Sequence, residues 1–282
     1  MRVAIVGFGF VGKALFNGIK ENVDVYKVDP QLNTKIKDLE DFKPQIIFIC
    51  IPTPMKSDGS QDISSLKEVI SDLKEFSSNS LIVLKSTILP DNVNEVKNVI
   101  PNIVYNPEFL RERYANDDFI NSNLIILGGE DKSTKSIGKF YTQHTNCKNH
   151  DYQYTDLVTA SLIKYVINTF LSLKVVYFNE LYNIFNELES SSSWQNFIDI
   201  ISIDKRIGDS HMDVPGPDGR LGFGGPCFPK DCNALIKYSY DLGHPFKLLE
   251  EASKINNKIR SQYKQLTKRE TDQNINFDIT NT

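Results

Sequence analysis

The chain has 282 residues, of which 40% are hydrophobic and 24% are charged, with a formal net charge of −4. This composition is that of an ordinary globular protein and argues against a disordered, fibrous or membrane-embedded chain. Charges are spread along the chain, so no basic patch indicates a nucleic-acid or anionic-membrane partner. The length favours two domains over one.

Short apolar segments alternate with helical patterns in the first half of the chain. The strand candidates are residues 3–6, 23–28, 46–51, 81–84, 103–105 and 124–127. Segments that are apolar on both faces are typical of a parallel sheet covered by helices, and residues 63–76, after Asp62 as N-cap, are one such crossover. The predicted fold class is α/β, with residues 1–150 forming a Rossmann-like, doubly wound parallel sheet.

A glycine-rich turn joins the first predicted strand to a helical pattern at residues 11–21. Its sequence is a GxGxxG, in which two glycines permit close approach of a pyrophosphate and the third lets the helix pack on the strand. The predicted cofactor-binding residues of this turn are Gly7, Gly9, Phe10, Val11 and Gly12.

Asp29 ends the next predicted strand, 22 residues after Gly7. A carboxylate at this position can accept hydrogen bonds from an adenosine ribose and would repel a 2′-phosphate, so the predicted cofactor is NAD rather than NADP. Asp29 precedes Pro30, and the alternative is that it only starts a turn.

Helical patterns dominate after about residue 150. Residues 156–188 contain neither proline nor glycine and predict one long helix, and shorter helices are predicted at 194–201, 230–242 and 246–266. Residues 208–229 are rich in glycine and proline and predict a long functional loop. Residues 151–266 are therefore predicted to form an all-α central domain with one long helix, followed by a polar tail, 267–282, that we expect to be frayed.

The long loop leads into the sequence GFGGPCFPKD at residues 222–231. It places Cys227, Lys230 and Asp231 beside three glycines. A nearby ammonium favours thiolate over thiol, and a carboxylate can transfer a proton or position water, so the segment predicts a covalent active site. A loop cysteine taken alone more often packs as a small hydrophobic side chain.

The other cysteines, Cys50, Cys147 and Cys232, are predicted to be packing residues. The four cysteines have no zinc-like spacing and are expected to be reduced, and no metal site is predicted. The first residues enter a strand pattern without the apolar run of a signal peptide, so we expect a cytoplasmic protein.

Lys164 and Asn168 lie four residues apart on the predicted long helix and so share one face. This places an ammonium and an amide together. The alternative is that both are exposed to solvent.

These features together resemble the UDP-glucose/GDP-mannose dehydrogenase family, most closely its UDP-glucose 6-dehydrogenase branch. The resemblance covers roughly residues 1–265, and its motifs occur in family order. The motifs are residues 7–12, Pro52-Thr53-Pro54, Lys85-Ser86-Thr87, residues 106–112, Lys164 with Asn168, Asn179-Glu180, Arg206-Ile207-Gly208 and residues 222–231.

The resemblance implies a four-electron oxidation of a nucleotide sugar, with UDP-glucose to UDP-glucuronate as the leading candidate and two NAD⁺ consumed. Lys164, Asn168 and a water held by Asp231 would take the alcohol proton and stabilise the developing oxyanion. Cys227 would hold the aldehyde as a thiohemiacetal, which a second hydride transfer turns into a thioester.

The resemblance also implies the remaining site residues. Hydrolysis of the thioester would use water activated by Asp231 and Glu108 and positioned by Thr87. The implied cofactor-binding residues outside the glycine turn are Asp29, Thr53, Thr87, Glu112 and Lys230. The implied substrate-binding residues are Phe109, Leu110, Lys164, Asn168, Arg206, Phe223 and Gly224.

Simpler roles stay open for several of these residues. Thr87 could merely end a strand, Glu108 could cap a helix that starts near Phe109, and Arg206 could be a cation at a helix C-terminus. In relatives the Arg206 motif reaches across a dimer to the sugar, so the resemblance implies a homodimer through the central helical domain.

Members of the family continue with a third, Rossmann-like domain that binds the nucleotide part of the substrate, whereas this sequence stops after the central helices. Without that domain, remote binding energy would be lost and KM would rise. A truncated chain, a partner chain that supplies the domain and a minimal enzyme are all compatible with the sequence.

Two other functions remain possible from the sequence. One is a two-electron dehydrogenase of the 3-hydroxyacid or 6-phosphogluconate type, which has no need of Cys227. The other is a catalytically impaired module that only binds NAD or dimerises.

Overall fold

The computed structural model describes residues 1–76 and 79–278. The chain divides into two compact units. The first is Met1–Thr53 with Asp62–Lys164, and the second is Pro54–Gln61 with Tyr165–Thr282. The domain boundaries at residues 150 and 266 stay predictions.

One sheet forms the centre of the first unit. Its strands in the described chain are β1 (Arg2–Val6), β2 (Asp24–Val28), β3 (Ile46–Ile49), β4 (Leu81–Leu84), β5 (Val104–Tyr105), β6 (Ile125–Gly128) and β7 (Tyr152–Thr155). Their order is β2-β1-β3-β4-β5-β6-β7, and neighbours are parallel except β5 and β6, which pair antiparallel. The prediction of a Rossmann-like, doubly wound sheet is confirmed, with that one departure.

The strands form because their side chains are apolar toward both faces of the sheet. Val3, Ile5 and Phe48 belong to one core cluster, whereas Ala4 and Ile47 belong to another. Successive residues of a strand point to opposite faces, so a fully apolar strand needs helices on each side. β7 was not predicted, because its sequence YQYT has no apolar run. The strand is only partly buried.

Helices cover the sheet. In the described part of the first unit they are α1 (Phe10–Gly18), α2 (Leu39–Phe42), α3 (Ser64–Phe76), α4 (Pro90–Val99), α5 (Ala115–Ile120) and α6 (Asp131–His144). The Asp62 carboxylate accepts a hydrogen bond from the Ser64 amide at 2.9 Å, so it caps the start of the predicted crossover. The chain starts at β1, adds β2 on one side and then β3 on the other, which creates a switch point between β1 and β3.

The predicted long helix is confirmed as α7 (Leu157–Asn186), which has 30 residues. It extends about 45 Å at the usual 1.5 Å per residue. By length and composition alone, α7 would also be long and apolar enough to cross a membrane. The core helix of a soluble protein passes the same test, so the absence of a membrane partner stays a prediction.

The described second unit is helical. Besides most of α7 it contains α8 (Trp194–Ser202), α9 (Phe228–Asp241), α10 (Lys247–Arg260) and α11 (Lys268–Asp272). The predicted all-α central region is thus confirmed from Leu157 onward, whereas residues 152–155 within its predicted bounds form β7 and pair with β6. The last predicted helix was too long, because α10 ends at Arg260 rather than continuing to residue 266.

The expectation of a frayed tail is wrong as far as Asp278. Thr267 and Glu270 form a capping box that starts α11, and Ile275 and Phe277 are only 3% and 7% exposed. The capping box and the two buried apolar side chains order this segment. Its polar composition led to the expectation of fraying. Residues 279–282 lie outside the described chain.

We expect Glu250 on α10 to make stability depend on acid pH. Its carboxylate accepts hydrogen bonds from the Tyr240 hydroxyl at 2.8 Å and the Lys247 ammonium at 3.1 Å. The Tyr240 bond, with those from Lys254 and Lys247, lowers the pKa of Glu250 from 4.5 to about 2. A lowered pKa stabilises the fold above about pH 4.5, and this contribution is lost as pH falls toward 2.

Thermal melting of wild type and Glu250→Gln between pH 7 and pH 2.5 tests this expectation. The melting temperature of the wild type should be higher than that of Glu250→Gln at pH 7. The difference between the two melting temperatures should become smaller below about pH 4.5. A gap of constant size across this range would contradict it.

Candidate functional site

The glycine turn follows β1 and leads into α1. Gly7 has a φ of +89°, and a Cβ there would lie 2.8 Å from the Cys50 carbonyl. A Cβ on Gly12 would overlap the Gly7 carbonyl oxygen, whereas a Cβ on Gly9 would meet no atom within 4 Å. Gly7 and Gly12 are therefore required by the fold, and Gly9, the N-cap of α1, faces open space where a phosphate could approach the helix.

Asp29 lies directly after β2 and contacts this turn. One carboxylate oxygen accepts a hydrogen bond from the Phe8 amide at 2.6 Å, and the other accepts one from the Gln31 amide at 2.9 Å. Asp29 thus starts a turn, which was the alternative role, and its carboxylate also binds the backbone of the glycine turn at Phe8. In dinucleotide-binding folds, a carboxylate at the end of the second strand, beside the glycine turn, binds the ribose.

Two threonines follow the adjacent strands β3 and β4. The Thr53 hydroxyl donates to the Thr87 carbonyl oxygen at 2.6 Å. Thr53 is buried and Thr87 is half-buried. Parallel strands end at one edge of a sheet, so both threonines lie on the edge that carries the glycine turn.

Lys164 and Glu108 form a buried pair in the first unit. The Lys164 ammonium donates to the Glu108 carbonyl oxygen and lies 3.4 Å from a Glu108 carboxylate oxygen. The ammonium also lies 5.1 Å from the centre of the Phe109 ring. Lys164 is 3% exposed, so solvent exposure is excluded for it. No helix starts at Phe109; Glu108 instead accepts the Leu110 amide at 2.7 Å.

A second buried lysine, Lys85, supports the Glu108 segment, and the sequence predicts no role for it. The Lys85 ammonium donates to the Asn106 side-chain oxygen at 2.9 Å, and the Tyr141 hydroxyl donates to the same oxygen at 2.6 Å. Burial lowers the pKa of Lys85 and raises that of Tyr141. These residues and Glu108 line a cavity of about 30 Å³, which is room for one or two water molecules.

We call residues 208–227 the cysteine loop. This loop lies in the second unit and ends at Cys227, which is the N-cap of α9. Asp231 lies one turn further along, and its amide donates to the Cys227 carbonyl at 3.0 Å. The Asp231 carboxylate accepts from the Asn168 amide group and from the Lys230 ammonium, each at 2.6 Å. Asp231 is 1% exposed, so the thiol-bearing residue is followed by a buried, oriented carboxylate.

Cys227 differs from the other cysteines in exposure. It is partly exposed, whereas Cys50, Cys147 and Cys232 are buried. Burial is the main cause that raises the pKa of both Cys50 and Cys232 to about 12, and burial also raises that of Cys147. Buried thiols of this kind stay protonated and unreactive at neutral pH, which agrees with the predicted packing role.

Two asparagines hold the backbone of the cysteine loop. The Asn179 side-chain oxygen accepts the Gly222 amide at 2.9 Å. Asn256 accepts the Phe223 amide at 2.7 Å and donates to the Phe223 carbonyl at 3.0 Å. Phe223, predicted to bind substrate, is thereby fixed and 5% exposed. The asparagine at 179 lies in a family motif, but no pattern in the sequence indicated Asn256.

Two predicted site residues lie on the surface. Glu112 begins a short 3-10 helix, Glu112–Tyr114, and is exposed. The Arg206 side chain is 89% exposed and pairs with Asp204 at 2.5 Å. Within the described residues, no three histidine, cysteine or acidic side chains group as a metal ion would require. The absence of a metal stays a prediction.

The glycine turn, Asp29 and the β1/β3 switch point define a dinucleotide-binding dehydrogenase fold. A solved UDP-glucose dehydrogenase from Pyrobaculum islandicum has the same fold, with a TM-score of 0.76 over 91% of this chain and 68% of that chain, at 23% identity. Sequence profiles of the UDP-glucose/GDP-mannose dehydrogenase family match residues 31–145 as its NAD binding domain and 158–258 as its central domain.

The chain belongs to the UDP-glucose/GDP-mannose dehydrogenase family. It is 31% identical over 298 residues to the UDP-glucose 6-dehydrogenase of Campylobacter jejuni, covering 93% of this chain and 74% of that relative. It is 36% identical to the Rickettsia bellii UDP-glucose 6-dehydrogenase over 74% of this chain and 48% of that relative. The chain thus spans about half the length of several relatives. The predicted family and its NAD-binding domain are confirmed.

Two glycine variants should separate cofactor binding from folding. Gly9→Ala adds a methyl group toward open space, so its free energy of unfolding should stay within about 1 kcal/mol of wild type. Its NAD⁺ affinity should fall at least about tenfold, because the backbone could no longer approach the pyrophosphate. Gly12→Ala should lose about 1–3 kcal/mol of stability through overlap with the Gly7 carbonyl.

Thermal unfolding and calorimetric titration with NAD⁺ measure both quantities. Unchanged NAD⁺ affinity in a folded Gly9→Ala would mean that the dinucleotide does not bind over this turn.

Proposed function

We propose that the protein is an NAD-dependent nucleotide-sugar 6-dehydrogenase that oxidises UDP-glucose to UDP-glucuronate in two hydride transfers. The observation that carries the proposal is Cys227, a partly exposed thiol at the start of α9 with the oriented Asp231 carboxylate one turn away. Membership of the family and the UDP-glucose 6-dehydrogenases among its relatives support the choice of substrate.

The first oxidation requires groups that handle a proton and a developing negative oxygen. NAD⁺, when bound, accepts the hydride from C6. We assign the alcohol proton to a water held by Asp231 and the stabilisation of the oxygen to Lys164 and Asn168. Lys164 is a buried ammonium, so its charge would act strongly on an oxygen brought close to it.

The second oxidation depends on a covalent bond to Cys227. The thiolate adds to the aldehyde carbon, and the oxygen takes up a proton to give a thiohemiacetal. Loss of a second hydride, which a second NAD⁺ would accept, and of the hydroxyl proton leaves a thioester. The bond prevents escape of the aldehyde between the two oxidations.

Hydrolysis of the thioester releases the carboxylate and returns Cys227 to its thiol form. We assign activation of the attacking water to Asp231 and Glu108, with Thr87 as a positioning residue. Glu108 is 8% exposed, and its carboxylate lies 3.4 Å from the Lys164 ammonium. Thr53, Glu112 and Lys230 are assigned to the cofactor, and Phe109, Leu110, Phe223 and Gly224 to the substrate.

A count of NADH per sugar tests the proposed reaction. Wild-type protein with UDP-glucose and NAD⁺ should form two NADH per sugar, because one site performs both oxidations. Cys227→Ser should stop turnover or stall at an adduct, because an alkoxide nucleophile is much harder to form than a thiolate. GDP-mannose and UDP-amino sugars run alongside test the choice of substrate.

The same assay separates the alternatives. One NADH per sugar that is insensitive to Cys227→Ser would favour a two-electron dehydrogenase of the 3-hydroxyacid or 6-phosphogluconate type. NAD⁺ binding without turnover of any nucleotide sugar would favour a catalytically impaired module.

We also propose a homodimer through the central helices. Val166, Phe170, Tyr177 and Ile184 recur on one face of α7 and are between 51% and 63% exposed. A contiguous exposed apolar face on a helix is typical of a protein interface. Arg206, 89% exposed on its side chain, is assigned to the sugar of the partner subunit. A cytoplasmic location without nucleic-acid or membrane partners stays a prediction.

Light scattering after size-exclusion chromatography tests the dimer. The wild type should have twice the chain mass of 32.1 kDa. Phe170→Glu should be monomeric, because a charge would be buried in the interface. Leu248→Glu is the matched control, since Leu248 is 65% exposed but lies on α10. A monomeric wild type, or equal behaviour of both variants, would contradict the interface.

A further inference from the structure

The loop before Cys227 contacts the segment that follows α10. The Gly225 amide donates to a Glu270 carboxylate oxygen at 2.9 Å. Gly225 lies two residues before Cys227 and has a φ of +76°, so the chain turns sharply at the point where it is held. This contact joins α11 directly to the cysteine loop.

A buried arginine links the same carboxylate to an earlier part of the loop. The Arg260 guanidinium donates to Glu270 at 3.0 Å and to Asp218 at 2.8 Å. The side chains of Arg260 and Glu270 are both 0% exposed. A buried ion pair keeps its geometry because either charge alone would be costly to leave unpaired. Asp218, Arg260 and Glu270 therefore form a fixed frame, which we call the loop clamp.

The loop backbone packs closely against this clamp. A Cβ on Gly224 would overlap the Arg260 guanidinium and lie 2.5 Å from the Glu270 carboxylate oxygen. Only a glycine lets the backbone run across the face of the ion pair at this distance. The position of Gly224 and Gly225, and so of Cys227, is determined by where the ion pair lies.

The Glu270 carboxylate stays charged in this buried place. Burial is the largest influence and raises its pKa, but hydrogen bonds from Thr267 and Gly225 and the Arg260 charge together lower it below its usual value. The Thr267 amide donates to the second carboxylate oxygen at 2.7 Å. Glu270 thus ties three separate parts of the second unit, the cysteine loop, α10 and α11, to one carboxyl group.

We propose that Glu270 is a positioning residue for Cys227, which it holds in its reactive place through Gly225 and with Arg260 as its partner. This inference rests on the proposed role of Cys227 as nucleophile. Glu270 acts through the loop backbone and is not assigned a contact with substrate. The segment 267–278 is then a working part of the active site rather than a polar tail.

Selective labelling of the cysteines in the full chain tests the clamp without any need for turnover. Glu270→Gln retains the size of the side chain but loses the charge that pairs with Arg260. The loosened loop should expose Cys227, so iodoacetamide should label it at least about fivefold faster than in wild type. Peptide mass spectrometry reports Cys227 and the buried Cys50, Cys147 and Cys232 in the same sample.

The buried thiols and a matched variant are the controls. Glu250→Gln removes another carboxylate of the second unit, one that pairs with Lys247 and Lys254 on α10. It should leave Cys227 labelling within about twofold of wild type. Arg260→Lys retains a positive charge but loses the forked geometry of the guanidinium, so it should accelerate Cys227 labelling as Glu270→Gln does. It replaces Glu270→Gln in the test if Glu270→Gln does not fold.

The outcomes decide the inference. Faster labelling of Cys227 alone, with kcat for UDP-glucose reduced about tenfold and the KM for NAD⁺ unchanged, supports the positioning role. Labelling equal to wild type in a folded Glu270→Gln or Arg260→Lys overturns it. Equal acceleration at Cys232 also overturns it, because the whole unit would then have loosened. If wild type turns over no nucleotide sugar, the proposed function fails while the labelling still tests the clamp.

Discussion

Neighbouring parallel strands end at the same edge of a sheet, and the first unit depends on this constraint. The segments after β1, β3, β4 and β5 carry Gly7, Thr53, Thr87 and Glu108, which are separated by up to about a hundred residues in sequence. The parallel order gathers them at one edge beside the switch point where dinucleotide folds bind their ligand. The grouping of these residues is therefore a consequence of strand direction.

Buried charges hold the remaining geometry. Lys164 lies against Glu108, Asp231 against Lys230, and Arg260 against Glu270. Such pairs contribute little net stability, but removal of one partner typically costs about 3–5 kcal/mol. Each pair thus fixes the placement of a backbone segment next to a residue of the proposed site. These charged side chains are buried although apolar residues at the same positions would have no desolvation cost, and the placement of the backbone is the reason.

The elements that were predicted correctly have strong local patterns. α7 has no helix-breaking residue over its length, and β4 was predicted with its observed bounds because its run LIVL is apolar. β7 was missed because the sequence YQYT gains its place only by pairing with β6. α11 was not predicted, because the polar composition of residues 267–282 masks the capping box that Thr267 and Glu270 form.

The sequence alone determined the class of fold, the glycine turn, the long helix and the family, because periodicity and short motifs are local properties of the chain. Only the tertiary structure decided which buried groups pair. The sequence placed Lys164 and Asn168 on one helix face, but their partners, Glu108 and Asp231, lie 56 and 63 residues away. Likewise, the contact of Glu270 with Gly225 spans 45 residues. Pairings at such separations depend on how the elements pack, and no local pattern encodes them.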